Sequence, residues 1–303
     1  MSTSPKTLIV IAGPTAVGKT AVAIKIAQHF GTAIISADSR QCYKEMSIGT
    51  AKPTLEELSQ VKHYFIDSHS ITDNLNAADY ESLALEYASQ IFKDKHIAVV
   101  CGGTGLYIKA LCEGIDEMPK SDIEIEKTLQ AEFEQHGLAW LQEKVRREDA
   151  AFFEHAEQQN PARLIRGLAF KMTTGQSITQ FKSGKKKERP FKIIKLALEL
   201  PRPVLYDRIN ERVDIMMQQG LWQEAENLYP QRHLKNLQTV GYTEIFDCLD
   251  GNIDREKCVE LIKQHSRNYA KRQLTWFRKD EAFKWFSPQD LELMLHYIDL
   301  KMQ

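Results

Sequence analysis

The sequence predicts an α/β fold in which a parallel sheet, flanked by helices, carries a helical insertion. Short apolar runs at Leu8–Ala12, Ala33–Ser36 and Ile97–Val100 alternate with helical stretches in the first part of the chain. After about Gly114 the pattern becomes helical, and a strand-like run returns at Phe191–Leu200. Strands that alternate with helices are typical of a parallel sheet. The segment that interrupts them is therefore predicted to be an insertion.

The first elements follow from their apolar patterns. Leu8–Ala12 is continuously apolar, as expected of a strand buried on both faces of a parallel sheet. A helix is predicted to begin near Gly18–Thr20, and a second strand, Ala33–Ser36, leads to Asp38. His63–Asp67 is a candidate third strand. The residues of the first helix that we expect to face inward are Val22, Ala23, Ile26 and Ala27.

Later elements define the predicted domains. A helix over residues 78–92 precedes the strand Ile97–Val100, residues 122–180 have helical spacing, and 182–190 form an exposed loop. From Val204 the chain is mostly helical. We therefore predict a P-loop NTPase-like α/β core from residues 1–115 and 191–303, with a helical C-terminal part. Residues 116–190 form the helical insertion.

The composition fits an ordinary globular protein, with 43% hydrophobic and 27% charged residues and a net charge of −1. Residues 116–160 are acidic, whereas 182–195 and 255–279 are basic, which indicates either a polyanion partner or solvated helix faces. The five cysteines show no CxxC spacing, which indicates reduced thiols. The N-terminus lacks signal-peptide features, and its apolar run is too short to span a bilayer. We expect a cytoplasmic monomer with no membrane association.

A glycine-rich phosphate-binding motif follows the first strand. G-x-x-x-x-G-K-T between a buried strand and a helix lets backbone N–H groups surround phosphate oxygens at a helix N-terminus. Lys19 adds a positive charge, and the Thr20 hydroxyl suits Mg²⁺. The motif predicts phosphate binding without specifying ATP. Its residues are Gly13, Pro14, Thr15, Ala16, Val17, Gly18, Lys19 and Thr20.

Two carboxylates decide between possible chemistries. A P-loop kinase or NTPase needs an acidic residue at a strand end for the Mg²⁺ shell. The strand Ile97–Val100 ends instead in Cys101–Thr104, although Asp67 could supply the carboxylate, so the NTPase interpretation is weakened but stays open. Asp38, just past the second strand, can accept a proton, bind metal or cap the next helix.

An ordered set of motifs resembles the tRNA dimethylallyltransferases, in the bacterial form that lacks a zinc finger. The resemblance covers nearly the whole chain. It implies transfer of a dimethylallyl group from dimethylallyl diphosphate to N6 of the adenosine 3′ of the anticodon, so that the P-loop holds diphosphate rather than ATP. The motifs are GPTAVGKT at 13–20, SADSRQCY at 36–43, GTAKP at 49–53, CGGTGLY at 101–107, NPARLIR at 160–166, VGY at 240–242 and YAKRQLTWFR at 269–278.

The resemblance also implies roles for individual residues. Asp38 would accept the amine proton, while Lys19, Mg²⁺ held by Thr20, and Arg212 would stabilise the departing pyrophosphate. Arg212 could otherwise be a solvated helix residue, and Thr104, a substrate contact by resemblance, could merely stabilise a turn. The implied contacts to the tRNA anticodon stem-loop are Asp38, Ser39, Arg40, Gln41, Thr104, Arg163, Leu164, Arg166, Gln238, Thr239, Val240 and Gly241.

Several features stay open or depart from the family. Val17 stands where a serine is common, and Glu126 stands where a basic tRNA contact can occur, so no tRNA role is assigned to Glu126. Lys185–Lys187 is expected to be a solvated loop. One C-terminal helix face could equally stack on RNA or pack on the core; its residues are Tyr269, Arg272, Trp276 and Lys279.

Three rival functions differ in what the sequence offers them. A prenyltransferase acting on free adenine nucleotides would lack much of the insertion and of the basic C-terminal region. A P-loop kinase or NTPase would need a carboxylate at the strand end after Val100, and this sequence has none there. A non-catalytic RNA-binding module would not account for the presence of Lys19 and Asp38.

Overall fold

Parallel strands form a sheet at the centre of the larger part of the molecule. The structure is a computed structural model, and it describes residues 5–303. Within those residues the sheet has six strands, all paired in parallel, in the order β3-β2-β4-β1-β5-β6. The predicted α/β class is therefore confirmed. The strands are β1 (Thr7–Ala12), β2 (Ile34–Ser36), β3 (His63–Tyr64), β4 (Ile97–Gly102), β5 (Lys192–Leu198) and β6 (Phe283–Phe286).

Strand β1 lies between β4 and β5 and is buried on both faces. Leu8 and Val10 belong to one hydrophobic core, whereas Ile9 and Ile11 belong to another, as side chains that alternate across a sheet must. The two cores lie on opposite faces of the sheet. The continuous apolar run is thus explained by helices that cover both faces.

Two strands differ from the sequence prediction. The third strand, predicted over His63–Asp67, ends at Tyr64, because Phe65 (φ 64°) and Asp67 (φ 48°) adopt left-handed backbone conformations that cannot continue a strand. The prediction of a mostly helical chain after Val204 missed β6, whose short run FKWF has only one buried residue, Phe283.

Helices accompany the sheet and fill the C-terminal part. Helix α1 begins at Lys19, within the P-loop motif, and the residues predicted to face inward from it are all buried. The helices outside the insertion are α1 (Lys19–His29), α2 (Leu55–Gln60), α3 (Ala77–Ile91), α4 (Gly105–Glu113), α8 (Arg202–Gln218), α9 (Leu221–Leu228), α10 (Thr243–Leu249), α11 (Arg255–Phe277) and α12 (Leu291–Met302).

Residues Ile115–Lys187 form a separate compact unit; the other unit comprises the chain up to Gly114 together with Glu188–Gln303. The smaller unit contains α5 (Ile123–Glu148), α6 (Ala150–His155) and α7 (Pro161–Thr174). Helix α5 is interrupted at Gly137, where φ is 78°. The unit has its own hydrophobic core, which includes Leu129, Leu141, Phe152, Leu164 and Phe170. It therefore buries apolar surface independently of the sheet.

A membrane span was sought among the helices. None of the helices formed by residues 5–303 combines the length and the apolar character needed to cross a bilayer.

Candidate active site

The P-loop is held open by backbone conformations that few residues accept. Gly18 has φ 102° and directly precedes α1, so its position favours glycine. Ala16, at φ 62°, is a non-glycine residue in the left-handed region, a strain that is typical of functional sites. Ala16 and Val17 are buried in the core. Their contribution to an anion site is therefore made by backbone N–H groups, and the absence of a serine hydroxyl at Val17 leaves those groups intact.

Lys19 lies inside the loop that it is predicted to serve. Its Nζ donates a hydrogen bond to the Pro14 carbonyl oxygen at 2.7 Å. Burial lowers the pKa of Lys19 to about 8, an effect that neighbouring Cys101 and Asp38 oppose and that Arg212 reinforces. A cation that is costly to keep charged in the free protein gains stability when an anion arrives. Lys19 is thus suited to a phosphate ligand.

Helix α8 contributes a second cation to the loop. Arg212 Nη1 lies 3.5 Å from Thr15 Oγ1. Burial, together with the nearby charge of Arg208, lowers the pKa of Arg212. The structure therefore places Arg212 at the P-loop and not on a solvated helix face. An open cavity of about 230 Å³ borders the loop here, lined by Ala16, Arg208, Glu211, Arg212 and Ile215.

Asp38 follows β2 and organises the next turn. Its Oδ1 accepts hydrogen bonds from the backbone N–H groups of Arg40 (2.9 Å) and Gln41 (3.2 Å). Within residues 5–303, the hydrogen bonds of this carboxylate involve Oδ1, so Oδ2 is not engaged in the turn. The residues after Asp38 form a turn and not the start of a helix, so Oδ1 caps that turn, and the other oxygen can still serve chemistry.

The second glycine loop contacts the Asp38 turn. Thr104 Oγ1 accepts a hydrogen bond from the Ser39 N–H at 3.0 Å and lies 3.3 Å from Ser39 Oγ. The hydroxyl of Tyr269, on α11, also interacts with Thr104. Burial raises the pKa of Tyr269 to about 12, and the charge of Asp38 is the next cause. Thr104 therefore stabilises a turn and faces the same region as Asp38.

The Gln41 side chain forms hydrogen bonds within the protein. Its Nε2 donates to the backbone carbonyls of Thr50 (3.1 Å) and Ala51 (3.0 Å), and its Oε1 lies 3.5 Å from Ser36 Oγ. A side chain whose amide is already satisfied loses those bonds if it turns to a base. The Gln41 side chain thus holds the 49–53 loop, and its contact with tRNA stays a prediction.

Asp67 does not supply the carboxylate that an NTPase would need. It forms an ion pair with Lys52 and follows β3, the edge strand. Two strands lie between β3 and β1, which separates their axes by about 14 Å. No group of three or more His, Cys, Asp or Glu side chains in the described part of the chain could hold a metal ion.

The predicted tRNA contacts of the insertion lie on α7. Arg163 and Arg166 are exposed, and Arg163 pairs with Glu157 at 3.2 Å. Leu164, predicted with them, is fully buried in the core of this unit, and its contact with tRNA stays a prediction. The spacing of the motif put Leu164 beside the arginines in sequence, but on a helix it faces the opposite side.

Residues 238–241 form hydrogen bonds to neighbouring residues of the chain. Gly241 is buried, and its N–H donates to Glu244 Oε2 at 2.7 Å; its contact with tRNA stays a prediction. Gln238 is exposed although its Nε2 donates to the Arg232 carbonyl at 2.6 Å. Thr239 and Val240 are half-buried.

The C-terminal helix face proves to be exposed. Tyr269 is 36% and Trp276 is 42% exposed, and the Arg272 guanidinium lies 5.6 Å from the Tyr269 ring centroid. The buried side of α11 is formed instead by Ala270, Gln273 and Phe277. Trp276 also packs against Gly105 and the Tyr269 hydroxyl interacts with Thr104, so stacking on RNA and packing on the core both stay open. Lys279 lies just past the end of the helix.

Two residues that sequence reasoning missed hold the site loops. Glu224 of α9 accepts hydrogen bonds from the backbone N–H groups of Ser47, Ile48 and Gly49, each at 2.9 Å, and from the Tyr242 hydroxyl at 2.6 Å. Gln273 of α11 bonds to both glycine loops. Gln273 stands within the YAKRQLTWFR motif, although the motif alone assigns it no role. Glu224 could not be found from sequence, because an acid on a helix looks like an ordinary solvated residue until the fold brings the loop to it.

Comparisons with known proteins give a consistent result. The model of a family described as IPP transferase matches residues 41–280. The tRNA dimethylallyltransferase of Cytophaga hutchinsonii is 46% identical over the full length of both chains. That of Christiangramia forsetii is 47% identical and covers 97% of this chain and 98% of its own.

Solved structures agree with these sequence matches. The full-length tRNA isopentenylpyrophosphate transferase of Bacillus halodurans has a TM-score of 0.73 and 34% identity, covering 98% of this chain and 97% of its own. A eukaryotic dimethylallyltransferase acting on tRNA has a TM-score of 0.75 and 25% identity, covering 95% of this chain and 75% of its own.

Proposed function

This chain belongs to the IPP transferase family, and we propose that it is a tRNA dimethylallyltransferase. It transfers the dimethylallyl group of dimethylallyl diphosphate to N6 of the adenosine 3′ of the anticodon, position 37, and releases diphosphate. The observation that carries this proposal is the strand order β2-β4-β1. It places the Asp38 turn and the P-loop on either side of the Gly103–Thr104 loop, about 10 Å apart between strand axes.

The reaction requires a proton acceptor on one side of that loop. As N6 forms a bond to the first carbon of the prenyl group, the carbon–oxygen bond to diphosphate breaks and its electron pair stays on the diphosphate oxygen. The N6 proton passes to Asp38, whose Oδ2 is not engaged in the turn. The other oxygen, Oδ1, keeps the carboxylate oriented by accepting hydrogen bonds from the Arg40 and Gln41 N–H groups.

The leaving group needs positive charge on the other side. Lys19 and Arg212, together with the P-loop N–H groups, face the position of the diphosphate. Negative charge grows on the departing oxygen during the reaction, so these groups stabilise the transition state more than the bound substrate.

Mg²⁺ fits this site as a substrate-bound ion. Thr20 stands at the start of α1 and is half-buried, and its hydroxyl makes no hydrogen bond within residues 5–303. Mg²⁺ keeps several waters and binds chiefly through substrate phosphates, so a single hydroxyl ligand is compatible with it. Bound there, the ion would neutralise diphosphate charge, while Thr20 would hold it against the loop.

Recognition of tRNA is proposed from exposed groups. The target base must be unstacked to reach Asp38, at a cost of a few kcal/mol. Ser39, Arg40 and Thr104 border its position. The exposed Arg163 and Arg166, with Gln238, Thr239 and Val240, remain predicted contacts to the anticodon stem-loop. Action on tRNA implies a cytoplasmic enzyme; a monomeric state stays a prediction.

A direct assay tests the proposed activity. The protein is incubated with labelled dimethylallyl diphosphate, Mg²⁺ and tRNA that lacks the modification, with AMP and ATP as separate acceptors. Label is expected in tRNA, at the adenosine 3′ of the anticodon. Label in AMP alone would instead establish a prenyltransferase of free nucleotides. Consumption of ATP without any prenyl transfer would establish an NTPase.

Asp38→Asn separates chemistry from structure. The asparagine oxygen can still accept from the Arg40 and Gln41 N–H groups, so the turn is retained while the proton acceptor is lost. The turnover number is expected to fall about 100-fold or more, with dimethylallyl diphosphate affinity within about threefold of wild type. Normal turnover at saturation with strongly weakened binding would show that Asp38 is purely structural.

A further inference from the structure

One buried amide bridges the two glycine loops of the site. Gln273 of α11 accepts a hydrogen bond on Oε1 from the Thr15 N–H at 2.8 Å and donates from Nε2 to the Gly103 carbonyl at 3.0 Å. It is 6% exposed. A Cβ atom added at Gly103 would collide with Gln273 Nε2, so the amide fits tightly against the second loop.

The contact chain continues from this amide to the proton acceptor. Thr104, the residue after Gly103, holds the Ser39 N–H through its hydroxyl at 3.0 Å. Ser39 directly follows Asp38. Gln273 is therefore hydrogen-bonded directly to the loop proposed to hold the electrophile, and it is linked to the turn proposed to hold the nucleophile through Gly103 and Thr104.

The Thr15 N–H shows which role this contact serves. A P-loop amide that donates to Gln273 does not donate to the diphosphate, so the side chain takes one donor away from ligand binding. Satisfying a buried N–H is worth about 1 kcal/mol, which a water molecule or a phosphate oxygen could also provide. Such an arrangement is explained if the position of the loop matters more than one additional donor to phosphate.

We propose that Gln273 is a positioning residue that fixes the P-loop relative to the Asp38 turn, so that the prenyl carbon and N6 meet in a reactive geometry. This inference rests on the proposed function. Two substrates held on different loops react only if those loops are aligned, and a displacement of about 1 Å can reduce the rate about 100-fold. A residue that merely packs α11 would instead lower stability and affect both substrates alike.

Two substitutions test the role of this amide. Gln273→Met keeps the length of the side chain and removes both hydrogen bonds. Its turnover number is expected to fall about 30- to 100-fold, with KM for dimethylallyl diphosphate and for tRNA within about threefold of wild type. Gln264→Glu, an exposed substitution on the same helix, is the matched control for the second substitution, Gln273→Glu, and is expected to keep wild-type kinetics.

Gln273→Glu provides a test within a single folded protein. A protonated carboxyl can accept from Thr15 and donate to Gly103, as the amide does, whereas the carboxylate faces the Gly103 carbonyl without a donor. The turnover number of Gln273→Glu relative to wild type is expected to rise about tenfold or more from pH 8 to pH 5.5. Other ionisable groups around these loops are present in both proteins, which differ only in the added carboxyl group: Lys19, Asp38, Cys101, Arg212 and Tyr269.

The outcomes separate this inference from the function on which it rests. Absence of transfer to tRNA by the wild-type enzyme would refute the proposed function. With wild-type transfer present, a turnover number of Gln273→Met within threefold of wild type would overturn the positioning role. So would a ratio for Gln273→Glu that does not change with pH. If Gln273→Met fails to fold, the pH dependence of Gln273→Glu decides the question alone.

Discussion

The affinity for dimethylallyl diphosphate should fall as the pH rises, because Lys19 must be charged to bind it. The pKa of Lys19 in the free protein is about 8. Bound diphosphate raises this value, since a neighbouring anion favours the ammonium form. Binding therefore takes up a proton, and the charged fraction of Lys19 in the free protein limits the affinity.

The magnitude follows from that fraction. With a pKa of about 8, roughly three quarters of Lys19 is charged at pH 7.5 and about 3% at pH 9.5, so the apparent dissociation constant should rise about 20- to 25-fold. Burial raises the pKa of Cys101 to about 11 and that of Tyr269 to about 12, so neither group loses its proton over this range. Lys19 is thus the group expected to govern the change.

Titration calorimetry between pH 7.5 and 9.5 measures this effect. At pH 8, repeating the titration in two buffers of different ionisation enthalpy should show uptake of about half a proton per ligand. The control is Lys19→Arg, whose guanidinium stays charged over the whole range, so its affinity should not change with pH. An unchanged affinity in the wild type, or an equal fall in Lys19→Arg, would refute the role assigned to Lys19.

Two further substitutions test how the site is supported. Glu224→Gln replaces an oxygen that accepts backbone N–H groups with an amide donor, so the 47–52 loop should loosen. KM for tRNA should rise about tenfold, while calorimetry should show unchanged affinity for the diphosphate. Arg189→Met removes the donor to Glu81 (2.7 Å) and to the Ala110 and Leu111 carbonyls, so urea denaturation should show a loss of about 3–5 kcal/mol. Lys257→Met, which breaks an exposed pair, is the control and should lose less than about 1 kcal/mol. A tRNA KM unchanged by Glu224→Gln, or equal losses for Arg189→Met and Lys257→Met, would contradict these assignments.

The sequence was most informative where one local pattern determines the structure. The apolar run before Gly13 and the glycine motif specify a buried strand, a phosphate-binding loop and the start of α1 without knowledge of the rest of the fold. Strand β6 and the early end of β3 could not be predicted, because the first depends on pairing with a strand far away in sequence, and the second on left-handed backbone at Phe65 and Asp67.

The site shows the same distinction between local and distant determinants. Asp38, Lys19 and Thr104 stand in recognisable motifs, and the structure places them around adjacent loops. Gln273 is 258 residues from Thr15 in sequence, and Glu224 is 175 to 177 residues from the N–H groups that it accepts. Such distant pairings become visible only after the chain has folded.

The end of β4 gives a steric reason for favouring prenyl transfer over nucleotide hydrolysis. A side chain at Gly102 would collide with the backbone of Ala37, and the Thr104 N–H donates to the Ala37 carbonyl at 3.1 Å. A carboxylate side chain therefore has no room at position 102 of this strand end, where a metal-holding carboxylate would serve phosphoryl transfer. The same close approach brings the Asp38 turn of the neighbouring strand against the second glycine loop. A carboxylate on that turn is positioned to remove a proton from a nucleophile, and this is what prenyl transfer to an amine requires.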